Sequence, residues 1–224
     1  MALQTDREGP GATASLSGSR PRTLGRVFAG GTAGNERLTA LIAVVLLILL
    51  AALGVTILRI GQLLNPHMFI GMLLIGPVLA KMGSTGYRFV RYYTNEPRYR
   101  AKGPPAPAMR LMAPIVVIST VTVFASGVAL LFIGPNSRGL LSALHKGSFI
   151  VWIAVTGLHV LGHLAELPAV LLRSGRSEER PWDDHGSGRG ARALLLAGSL
   201  IGGLVLALLV QSQFGAWAGY HHGG

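Results

Sequence analysis

The sequence contains no cysteine. That excludes disulfides, iron–sulfur ligation and haem attached through thioethers, so any haem must be held non-covalently, through histidine or another ligand. Acidic residues are scarce too, with 9 Asp and Glu against 20 Lys and Arg. Charged residues of both signs make up only 13% of the chain, where a soluble domain carries about a quarter. No Walker loop, nucleophile elbow or His-Glu-x-x-His pattern occurs, which argues against soluble-type hydrolase or NTPase chemistry.

Long apolar runs fill the place of the missing charge, and half of the residues are hydrophobic. A membrane-spanning helix needs about 20 consecutive apolar residues. Five runs meet that length and predict an all-α membrane protein with five transmembrane helices, near 38–58, 66–87, 112–133, 140–172 and 193–210. Residues 1–37, rich in Gly, Ser, Thr and Arg, read as a disordered tail. Residues 38–213 form the transmembrane domain, and 214–224 a short external tail. The first run follows a long leader and has spanning length, so it reads as a retained helix and not a cleaved signal. Asn65-Pro66 marks the start of the second helix, Pro77 predicts a kink within it, and Gly134-Pro135 ends the third.

The net charge of +11 is compatible with nucleic-acid binding in principle, but no recognised nucleic-acid motif accompanies it. Sixteen of the basic residues lie in the N-terminal tail and in the connections after helices 2 and 4, and only Arg59, Arg138 and Lys146 lie on the other side. The positive-inside rule then places the N-terminus in the cytoplasm and the C-terminus outside a plasma membrane, with Trp217 and Tyr220 at the outer interface. The stretch RFVRYYTNEPRYRAK mixes aromatic and basic residues. It reads as a cytoplasmic interface belt or as a docking surface for a redox partner or acidic lipid.

Histidines carry the chemical signal. Ionisable groups inside spans are costly and mark functional sites, and His67, His145, His159 and His163 all fall in helices 2 and 4. His145 and His159 are 14 residues apart, which is four turns less about 40° and a rise of roughly 21 Å; His163 shares that face. His67 and Lys81 have the same 14-residue spacing. The order His67, Lys81, Arg88 matches His145, His159, Glu166 in its steps of 14 and 7. Anchored on Arg88 and Glu166, His67 is level with His145 near the outer surface, and Lys81 with His159 deeper in. Two imidazoles from facing helices at one depth can ligate haem iron on both sides, and Gly71, Gly147 and Gly157 would thin the helices beside it. His185, His221 and His222 read as solvated loop and tail residues.

The stretches PHMFIGMLLIGPVLAK and LHKGSFIVWIAVTGLHVLGH resemble the membrane b-type cytochromes, over roughly residues 65–165. The first is similar to the family's His-x-x-x-Gly helix, the second to its helix with two histidines about four turns apart. The resemblance implies a four-helix bundle of the cytochrome b kind plus one extra helix. It implies haem b held by His67 and His145 at an outer site, and His159 as one ligand of an inner haem. Lys81 departs from the pattern, standing where the second inner histidine belongs. Either only the outer haem binds, or Lys81 is an unusual inner ligand, or the inner site is lost and Lys81 pairs with Glu166 or a propionate. A single outer haem is the reading taken.

The expected function is electron transfer within the bilayer, with a quinone, a ferric substrate or a separate redox subunit as partner. The sequence shows no flavin or nicotinamide domain, so an electron-transfer subunit is expected in preference to a complete enzyme. Two alternatives stay open. The histidines could serve only packing and interhelical hydrogen bonding, the reading that suits His159 and His163 best from spacing alone, although such an i,i+4 pair can also bind zinc or copper. A small transporter lined by Lys81 and the histidines is the other, although no internal repeat is evident.

Overall fold

The computed structural model describes residues 31–100, 107–164 and 189–218. Among them the long elements are five helices: α1 (Gly31–Leu58), α2 (Ile60–Tyr93), α3 (Pro107–Ile133), α4 (Gly139–Leu164) and α5 (Arg189–Val210). Each contains a stretch long and apolar enough to cross a membrane. Large apolar side chains such as Ile48, Leu79, Ile118, Leu140 and Leu209 face outward on all five. A soluble monomer rarely exposes a continuous surface of that kind, whereas lipid solvates it and the helices satisfy their own backbone groups. The chain is a multi-pass membrane protein.

The helices outrun their apolar runs. α1 starts at Gly31, within the tail expected to be disordered, because extending a nucleated helix by a few residues escapes the cost of starting one. α2 begins at Ile60 rather than near Pro66, separated from α1 by Arg59 alone. Its one non-helical residue is Leu63, with φ −112° and ψ 24°. Pro66 explains the break: it cannot donate to the Gln62 carbonyl, and its ring crowds that same turn. Around Pro77, where a kink was expected, the dihedrals remain helical. α3 ends as the sequence predicts, at Gly134, whose φ of 79° is open to glycine at little cost. A 3-10 turn, Pro135–Ser137, then leads to α4. α4 is described as far as Leu164, and the expected continuation to 172 lies outside the described residues.

α2 is the hub. α1 and α5 pack along it, α3 and α4 pair with each other, and α2 meets α3 more lightly. α2 and α4 make no extensive direct contact. α2 and α5 cross closely at two glycines: a Cβ on Gly76 would run into the Ser199 carbonyl oxygen, and one on Gly203 into that of Leu73. Lipid tails are as apolar as leucine, so helices in a bilayer gain by close van der Waals packing, which small residues permit.

Two apolar clusters close the bundle. At the end with the short turns, Met72, Leu131 and Ala207 pack with Phe214 and Trp217. The last two come from a 3-10 turn (Gln211–Phe214) and a one-turn helix (Gly215–Ala218) that follow α5. Trp217, expected in the interface, is 9% exposed; the chain folds back over the helix ends and turns the indole inward. At the opposite end Leu38 and Ile42 pack with Ala80, Leu195 and Leu196, joining α1, α2 and α5.

Candidate functional site

His67 and His145 stand near the starts of α2 and α4, each shortly after a tight turn at the same end of the bundle. Each ring is gripped through Nδ1 by the neighbouring antiparallel helix. His67 Nδ1 lies 3.0 Å from Thr56 Oγ1 of α1. His145 Nδ1 lies 3.0 Å from the Val123 carbonyl oxygen and 3.1 Å from Ser126 Oγ, both on α3. Thr56 and Ser126 are buried.

The Val123 contact fixes the proton on His145. A carbonyl oxygen can only accept, so Nδ1 carries the hydrogen and Nε2 keeps its lone pair. Ser126 already donates to the Thr122 carbonyl at 2.7 Å, so its oxygen is a second acceptor for the same N–H. A Cβ on Gly127 would approach His145 Cε1 to 3.1 Å, so the ring rests on the bare backbone of α3.

Further along α4, Trp152 Nε1 donates to Thr120 Oγ1 on α3 at 3.0 Å. His145, Trp152 and His159 recur every seven residues and share one face. The first two bond α3, and His159 carries a buried Nδ1. His163 lies on α4, but its side chain is outside the described residues. Lys81 turns to α1, where Nζ donates to the Thr39 carbonyl at 3.0 Å. Thr39 Oγ1 donates to Ser84 Oγ at 3.2 Å, and Ser84 Oγ to the Lys81 carbonyl at 3.0 Å. The lysine is thus bonded to α1 and, among the described residues, to none of α4. Glu166, its other suggested partner, lies outside the described residues.

The sequence reading found the histidines and missed what holds them. Thr56, Ser126 and Thr120 were passed over because hydroxyls in helices commonly bond the carbonyl a turn back, as Thr56 and Ser126 also do here. The glycines noted beside the site behave differently from Gly127: a Cβ on Gly71, Gly147 or Gly157 would meet nothing within 4 Å. Among the described residues no group of three or more His, Cys, Asp or Glu side chains converges as a metal site.

Fold and site together define a multi-pass membrane protein, helical throughout its described residues, with two half-buried, hydrogen-bonded histidines at one end of its bundle. No family model, no curated protein and no solved structure matches the chain.

Proposed function

We propose that the protein is a b-type cytochrome-like electron carrier of the plasma membrane, with His67 and His145 as the ligands of one haem b. The observation that carries this reading is the matched setting of the two rings. They come from two helices that start at the same end of the bundle and make no extensive contact with one another, and each is held through Nδ1 by a neighbouring helix. Nδ1 bonded to a carbonyl or hydroxyl leaves Nε2 to bind iron, the arrangement that orients metal-bound histidines generally. The open space beside Gly71 suits a flat group lying against α2.

Bound there, haem supplies a reversible one-electron carrier whose potential depends on ligand identity, burial and hydrogen bonding. The chain's own residues orient the two imidazoles, through Thr56 for His67 and through Val123 and Ser126 for His145. An inner haem is not part of the proposal: a donor set of His159 and Lys81 does not fit, because the Lys81 amine is committed to the Thr39 carbonyl. Electrons would pass to or from a quinone or a separate redox subunit. The basic residues favour a cytoplasmic N-terminus and an external C-terminus.

The same hydrogen bonds favour one second reading, in which the histidines tie α1 to α2 and α3 to α4 with no cofactor. A visible spectrum of the detergent-purified protein, expressed with ample haem, separates the two. The haem reading requires a Soret band that sharpens on dithionite reduction and that His67→Ala and His145→Ala each abolish. Absence of the band in the wild-type protein, or its survival in both variants, rejects that reading.

A further inference from the structure

We propose that α1, which lies outside the stretch that resembles the cytochromes, completes the haem site, with Thr56 as the positioning residue that sets the tautomer and aim of His67. This rests on the reading of His67 as a ligand. It comes from counting protons at one oxygen. Thr56 Oγ1 lies 2.5 Å from the Leu53 carbonyl oxygen, which can only accept, so the single hydroxyl hydrogen points there. The other partner of that oxygen is His67 Nδ1 at 3.0 Å. With its hydrogen spent, the hydroxyl has only lone pairs to offer, so Nδ1 must carry the ring proton and Nε2 the free pair. The opposite tautomer would set two acceptors against each other.

The hydroxyl is a rigid acceptor. Threonine is β-branched, and in a helix its rotamer choice is narrowed further by bonding a carbonyl one turn back, here Leu53. Thr56 is 4% exposed, so no water competes for its oxygen. The two rings are held unequally. His145 has two acceptors and a glycine seat on α3, whereas His67 has the one hydroxyl. Removing that hydroxyl leaves the half-buried N–H without its acceptor, and the ring would relieve this by swinging away or by moving its proton to Nε2. Either outcome would take the Nε2 lone pair away from the place where His67 would hold the haem.

Thr56→Val keeps the side-chain shape and removes the acceptor, while Thr56→Ser restores it. In ¹⁵N-histidine spectra of the purified protein without added haem, wild-type His67 is expected as the Nδ1–H tautomer. Haem affinity should fall 10–100-fold in Thr56→Val, whose reduced form should bind carbon monoxide, and Thr56→Ser should behave as wild type. The proposal is overturned if wild-type His67 carries its proton on Nε2. It is equally overturned if Thr56→Val, with native helicity by circular dichroism, keeps wild-type haem affinity and stays inert to carbon monoxide. A wild-type protein that takes up no haem would sink the cytochrome reading alone; the ring spectra would still decide the role of Thr56.

Discussion

His145 sits directly over Gly127: a single carbon added there would come within 3.1 Å of its Cε1. That distance is shorter than ordinary van der Waals contact, so Gly127→Ala must push the imidazole outward and stretch its bonds to Val123 and Ser126. Haem retention, read as the pyridine haemochrome signal per protein, should fall in Gly127→Ala by a factor on the order of 10–100, the usual cost of disturbing a ligand's hydrogen-bonded support. Gly147→Ala, which would meet nothing within 4 Å, should retain the wild-type ratio. Equal loss in both variants would mean that the glycine seat is unimportant.

At the α2–α5 crossing the obstacle to a side chain is backbone, which cannot rotate out of the way. Gly76→Ala and Gly203→Ala should each destabilise the protein by about 1–3 kcal/mol, the range for overpacking a filled interface. Gly202, one position away with open space around it, should accept alanine with little change. Thermal unfolding in detergent compares the three; a neutral Gly203→Ala would show that the crossing is looser than described.

The spans were legible because a bilayer imposes a length, and five apolar runs display it. The end of α3 was legible at Gly134-Pro135 for a local reason, the left-handed turn. The start of α2 was not. Pro66 permits a regular helix from its own first turn onward, but nothing local shows that a broken turn from Ile60 to Leu63 precedes it. Nor was the α2–α5 crossing legible, since Gly76 and Gly203 look no different in sequence from Gly71 and Gly202, where an added Cβ would meet nothing within 4 Å. Only the partner helix gives a glycine its meaning, and likewise it took α1 and α3 to show which hydroxyls serve the histidines.

Lys81→Met distinguishes a single haem from a lysine-ligated second one. The substitution should leave the haem-to-protein ratio and the reduced spectrum unchanged, because the amine bonds the Thr39 carbonyl. A drop by half in haem content would restore Lys81 as a ligand and remove the single-site reading.

Trp152 and Thr120 lock α3 to α4 across their middle. A double-mutant cycle of Trp152→Phe and Thr120→Val, followed by unfolding in mixed micelles, should give a coupling of about 0.6 kcal/mol, typical of interhelical hydrogen bonds in membranes. A coupling indistinguishable from zero would mean that the indole nitrogen finds an equal partner elsewhere.

The hub position of α2 dictates an order of assembly. α1 and α2 enter the bilayer as neighbours in the chain, yet the seam that receives Ser199 and Gly203 must wait for α5 to be synthesised. Until Phe214 and Trp217 fold over Met72 and Leu131, one flank of α2 has only lipid for company. A chain truncated before α5 would therefore reach the membrane with its central helix half-dressed, its glycine seam at Gly76 open to lipid.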